Sequence, residues 1–232
     1  MVIKTAGNER TMNRTLKAIL LSAGLCSLSN LSFSAIVYDN TATADPSGQQ
    51  YFPTPTGLEF GDQVTLAGTE RTLSQFSFYY FFNGASVTSQ TLTLRMYANN
   101  GTNPPVSAFY TSDAIPLSIG DNGFNNQNIS FTNAIPTILP DSFTWTVQFS
   151  NLGAGQTGGL LLYGPPNVGS SFNDFWQNDG AGNWTLNQIN NGSALADFAA
   201  RISAVPEPGV LALSGLGALL LAGLGRLRKP PE

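Results

Sequence analysis

The sequence predicts an all-β ectodomain, an antiparallel β-sandwich of jelly-roll-like kind, followed by a single C-terminal transmembrane helix. Three observations predict it. Several segments alternate apolar and polar residues at period two, the pattern of a strand with one buried face. Asn-Gly, Asp-Gly and Pro-bearing stretches such as "NNGTNPP" and "GDNGFNN" separate them, which is turn chemistry. Near the C-terminus an uncharged run from Gly209 to Gly225 is dominated by Leu, Ala, Gly and Val.

Taken in order, the first 34 residues read as a signal peptide. From Met12 the chain runs "MNRTLKAILLSAGLCSLSNLSFSA": Arg14 and Lys17 supply a positive start, and Ala18 to Leu28 an apolar stretch too short to span easily. Ser32-Phe33-Ser34 is a small-x-small cleavage signal, so the mature chain is expected to begin at Ala35. Translation starts at Met1 or, since the signal is complete from there, at Met12. Lipid attachment at Cys26 is disfavoured, because Leu25 stands where a small residue is needed.

The sandwich is expected over residues 35–204. In "TLSQFSFYYFFNG", Phe76, Phe78, Tyr80 and Phe82 share one face. In "QTLTLRMYANNG", Leu92, Leu94 and Met96 alternate with Thr91, Thr93, Arg95 and Tyr97. "SFTWTVQFSN" sets Phe143, Trp145, Val147 and Phe149 against Thr144, Thr146 and Gln148. Weaker strand signals lie in "NISFT", "GGLLLYG", "NDFWQN", "NWTLNQI" and "ALADFAARISAV". Between Ala35 and Gly209 no stretch carries a helical stripe.

Composition removes whole classes of function. Between Ala35 and Val205 stand eleven acids and three bases, Arg71, Arg95 and Arg201, so no basic footprint exists for nucleic acid. The chain has no histidine, which excludes His-based acid–base and nucleophile systems and His-ligated metals. Its one cysteine, Cys26, falls in the signal segment, leaving the mature chain without thiol or disulfide.

The C-terminal segment, 205–232, has three parts. Val205-Pro206-Glu207-Pro208 presents a lone carboxylate between two rigid prolines that bar helix and ladder alike. Residues 209–225 follow, just long enough as a helix to cross a bilayer's hydrocarbon core. Arg226, Arg228 and Lys229 then hold the C-terminus on the cytoplasmic side. In order and spacing this segment resembles the tails of the bacterial PEP-CTERM proteins, although "KPPE" after the basic cluster extends it. The resemblance covers about a tenth of the chain, Val205 to Lys229. It implies recognition by an exosortase, a membrane-embedded cysteine transpeptidase-like enzyme that cuts near the triplet. Such cargo is sorted to the cell surface or biofilm matrix of Gram-negative bacteria that make exopolysaccharide. The Sec translocon and signal peptidase are the implied partners at the other end. The alternative is a permanent anchor behind a proline linker.

Within the ectodomain, "SSFNDFWQNDGAGNWTLNQ" is the most suggestive stretch. Phe172, Trp176 and Trp184 offer ring faces that stack on sugars, and Asp174, Asp179 and the neighbouring asparagines offer hydrogen bonds to hydroxyls. The competing reading places the tryptophans in the core and the polar residues in turns. Asp174, Asn178 and Asp179, or Asp121 and Asn122, carry hard oxygens of the kind calcium takes, though neither stretch is an EF-hand. No other cofactor is expected. A glycoside hydrolase needs only two carboxylates, but the acids fall mostly in turns and read as solvation. The expectation is therefore a non-catalytic structural or adhesive sandwich, with carbohydrate (exopolysaccharide) binding as the alternative and hydrolysis a remote one.

Overall fold

The computed structural model describes residues 34–42, 50–51, 53, 57–84, 89–98, 107–118, 124–130, 137–192 and 196–207. The chain divides into two units, Ser34–Val205 and the flanks Met1–Phe33 with Pro206–Glu232. The expected signal segment up to Phe33, the expected membrane helix 209–225, Pro208, Arg226, Arg228, Lys229, Asp121 and Asn122 lie outside the described residues. Among the described residues no helix is long and apolar enough to cross a membrane.

Alternation becomes strand wherever it is cleanest. Strands are numbered in chain order. The first sheet is built around β4 (Thr72–Asn83), which pairs with β14 (Ala200–Val205), β10 (Thr157–Leu161) and β8 (Phe124–Ser130). It is extended by β1 (Ala35–Asp39) on β14 and by β2 (Gln50–Tyr51) on β10. The second sheet runs β13 (Trp184–Asn187), β12 (Phe175–Asn178), β3 (Glu59–Thr65), β9 (Ser142–Ser150), β5 (Thr91–Ala98), β6 (Ala108–Thr111). Two short strands add to it, β11 (Ser170–Ser171) on β3 and β7 (Ile115–Pro116) on β5. Every pairing is antiparallel.

The inward faces meet in an aromatic core. Phe76, Phe78, Tyr80 and Phe82 of the first sheet are buried, as are Phe143, Trp145, Val147, Phe149, Leu92, Leu94 and Met96 of the second. Trp145 joins the layers: its ring lies 5.3 Å from Phe76, 5.8 Å from Phe78 and 6.4 Å from Phe198. Burying each such side chain contributes about 1.5–3 kcal/mol, so this layer dominates the stability. The first and last strands are neighbours, with Ala35 opposite Ala204, and Val205 closes the ladder opposite Thr72.

Two features depart from the sequence reading. Strand β3 shows no clean alternation, yet it is central, lying between β12 and β9 and buried along most of its length. Its sequence, EFGDQVT, puts polar residues on both faces, Glu59 and Gln63 on the outer and Asp62 on the inner, so neither face reads as apolar. The acids, expected in solvated turns, also depart. Asp39, Glu59, Asp62 and Asp197 are all buried.

Candidate functional site

The outer face of the second sheet gathers Trp176, Trp184 and Asn178 of the suggested stretch, together with residues the sequence did not suggest. Register sets the rows. Trp184, Asn178, Glu59, Gln148 and Thr93 lie side by side across β13, β12, β3, β9 and β5. The adjacent row is Leu186, Trp176, Gly61, Thr146 and Arg95, and beyond it Gln63, Thr144 and Tyr97 lie across β3, β9 and β5.

Gly61 makes this surface possible. A Cβ there would sit 1.9 Å from the Trp145 carbonyl oxygen and 2.5 Å from the Thr146 Cα. No side chain fits. Trp176, opposite Gly61, packs down until it is only 6% exposed, with its indole Nε1 buried and unpartnered. Covered in this way, Trp176 has no free ring face for a sugar, which corrects its expected role. Thr144 and Thr146, which alternation alone would leave in solvent, are also buried.

A polar network crosses this face. Glu59 accepts from the Tyr97 hydroxyl at 2.7 Å, from Thr146 Oγ1 at 2.5 Å and from Arg95 Nη1 at 3.0 Å. Arg95 Nη1 also donates to Gln148 Oε1 at 3.1 Å, and Gln148 Nε2 donates to the Gly57 carbonyl. Burial, and then the hydrogen bond to the Glu59 carboxylate and its charge, push the Tyr97 phenol well above its ordinary pKa. Tyr97 therefore stays a neutral donor. Both Glu59 oxygens are engaged, Oε1 by two donors and Oε2 by one, so this carboxylate is the common acceptor of the network. The sequence reading missed Glu59, Tyr97, Thr146 and Gln148 because the residues that meet come from three strands far apart in the chain.

Trp184 keeps surface. It is half-buried, its ring meets Tyr97 edge-on at 5.3 Å, and Leu186 two residues on is exposed. Phe172 is the most exposed large apolar residue described, at 54%.

The expected calcium trio is separated. Asp174 precedes β12, whereas Asn178 and Asp179 end it, roughly 13–16 Å away along an extended strand. At that end the oxygens serve the β12–β13 turn. Asn178 Oδ1 accepts from the amides of Gly180 and Gly182, and Asp179 Oδ1 from those of Ala181 and Asn183, while Asp179 Oδ2 accepts from Asn183 Nδ2. Gly180 and Gly182, at φ of 84° and 96°, supply the left-handed backbone this turn needs. Hydrogen bonds from Asn183 and the turn amides hold the Asp179 carboxyl below its ordinary pKa. These are Asx-turn residues.

A shallow recess elsewhere is lined by Leu66, Gly68, Thr69, Arg71 and Asp141. Arg71 there binds Asp141 at 2.8 Å and donates to the carbonyls of Ala67, Gly68 and Glu70, so it clamps a loop. No family profile, no curated protein and no solved structure matches this chain.

Proposed function

We propose that this protein is exported cargo: a non-catalytic structural or adhesive sandwich, delivered to the cell surface or extracellular matrix by exosortase processing of its C-terminal segment. The observation that carries the reading is the placement of Val205-Pro206-Glu207-Pro208. Val205 is the last residue of β14; Pro206 has no N–H with which to continue the ladder, and Glu207 is exposed. The carboxylate an enzyme would read thus follows directly on the last strand, ahead of the apolar run and the basic cluster. At the other end β1 begins at Ala35, the residue expected after signal peptidase cleavage, and lies beside β14. Repeated crossings of the chain between sheets, as in β3–β4–β5 and β8–β9–β10–β11, support the jelly-roll-like description. The membrane helix over 209–225 rests on its composition and length.

Intact mass and localisation of the protein from its native cells test this. Wild type is expected to lose everything beyond the triplet and to leave the membrane, while Glu207→Ala stays uncut and membrane-retained. An intact tail in both would make 209–225 an ordinary anchor.

Carbohydrate binding is a second reading, favoured by one observation: Trp184 and Phe172 retain exposed ring surface beside a polar sheet face. Trp184→Ala is expected to abolish binding to the producer's exopolysaccharide on a glycan surface, with the thermal unfolding midpoint nearly unchanged. Trp176→Ala is the wrong probe, since loss of that packed ring destabilises the sheet. Absence of any glycan signal from wild type ends this reading.

A further inference from the structure

We infer that Asp62 and Asp197, with the hydroxyls of Tyr38 and Ser171 beside them, form a buried site for one calcium ion between the two sheets. Asp62 lies on β3 between Phe60 and Val64, and all three are fully buried. Neither of its carboxylate oxygens has a hydrogen bond of good geometry, although the amides of Phe198 and Gln63 are directed toward it. Asp197, 4% exposed, immediately precedes the bridge between Leu162 and Phe198 and accepts a short hydrogen bond from Ser171 Oγ. The Tyr38 hydroxyl of β1 is likewise buried and has no hydrogen bond of good geometry, although Ser171 is directed toward it, and Asp62 is the charge that acts on it most strongly. Asp174, half-buried, adds a third negative charge near Asp62.

Charge calls for neutralisation. A buried carboxylate without hydrogen bonds or a counter-ion is too costly to persist ionised, and here two share one region. No arginine of the sandwich neutralises them. Arg71 is paired with Asp141, Arg95 with Glu59 and Arg201 with Asp39. The neutralising charge comes from outside the chain.

Geometry favours an ion. Register brings the oxygens into one neighbourhood: Ser171 lies opposite Val64, two residues along β3 from Asp62, and its hydroxyl donates to Asp197. Neither the Tyr38 hydroxyl nor the Asp62 carboxylate is drawn off by a hydrogen bond of good geometry, which leaves these oxygens available to a hard cation. The donors also come from separate segments: β3, β1, β11 and the approach to β14. They are oxygen alone, with no histidine in the chain and no thiol after Cys26, which selects a hard cation over zinc or copper. Carboxylates of irregular arrangement suit calcium, which accepts six to eight oxygens, better than magnesium, which demands a near-ideal octahedron. Among the described residues no three acids stand close enough to hold a metal by themselves. Two carboxylates completed by neutral oxygens are the arrangement proposed. Of the calcium residues suggested by sequence, Asp174 approaches this site, whereas Asn178 and Asp179 serve the β12–β13 turn. The inference is independent of how the protein is sorted.

The test uses full-length protein purified from producing cells, stripped with chelator and returned to calcium. Equilibrium dialysis is expected to find one calcium per chain, and a calcium concentration about 100-fold above Kd to raise the unfolding midpoint by about 5–10 °C. Asp62→Asn, which keeps the shape and removes the charge, abolishes that rise and leaves the metal-free protein at least as stable as metal-free wild type. Asp179→Asn leaves the rise intact. Should Asp62→Asn not accumulate, Asp197→Asn decides, since loss of either carboxylate empties the site. Calcium without effect on wild type, or a full rise in Asp62→Asn, overturns the proposal. In that case a proton is the neutralising charge. Burial and mutual repulsion raise the Asp62 pKa, and burial raises that of Asp197, so above the ordinary value near 3.8 the folded state binds more protons than the unfolded. Stability would then rise steadily as pH falls from neutral toward about 5, with or without calcium.

Discussion

Replacing Glu59 by alanine is expected to destabilise the sandwich by about 3–5 kcal/mol, although the residue lies on the outer face of its sheet. The carboxylate is 8% exposed and is the common acceptor for Tyr97, Thr146 and Arg95. Its removal strands two buried hydroxyls and leaves Arg95 with only Gln148, and leaving buried donors without an acceptor costs more than the lost bonds themselves. Glu59→Gln keeps an acceptor oxygen and is expected to cost less, about half. Asp113→Ala, at an exposed position, is expected to stay within about 0.5 kcal/mol of wild type. Urea unfolding of the three variants measures the ranking. A Glu59→Ala protein within 1 kcal/mol of wild type would mean that the network relaxes freely into water.

The second large effect is at the centre of the core. Trp145→Ala is expected to cost about 3–5 kcal/mol, from lost transfer energy and from the cavity left among Phe76, Phe78 and Phe198. Trp145→Phe keeps an aromatic ring and also removes a buried indole N–H that has no partner, so it is expected to recover most of that loss. Calorimetric unfolding of both variants is the check. Equal losses in the two would show that the core does not distinguish ring from void, and the layer contacts would then carry less of the stability than their burial implies.

Much of the framework was legible before folding. Phe76, Phe78, Tyr80 and Phe82, then Leu92, Leu94 and Met96, then Phe143, Trp145, Val147 and Phe149 were each assigned an inward face from alternation, and each is buried. A strand with one wet face writes its orientation into its own pattern. Strand β3 did not, because it buries polar residues on both faces, Glu59 and Gln63 on one and Asp62 on the other. Trp176 and Trp184 illustrate the same limit at the site: two tryptophans eight residues apart on neighbouring strands, one sealed over Gly61 and one half open. Nothing local to either residue distinguishes them. What separates them is the strand opposite, which Trp176 has and Trp184, on the edge, lacks on one side.

The sequence by itself therefore determined the class of the domain, the main strands with their apolar faces and the order of parts after Val205, because all of these depend on neighbours within a few residues. Tertiary structure alone decided that Glu59 is the shared acceptor of three donors, that Trp176 is closed and Trp184 open, and that Asp62 and Asp197 are both buried within reach of each other's charge. Residues 135 apart in the chain share that site. The free energy of a carboxylate is set by whatever surrounds it, and only the folded chain brings those surroundings to it.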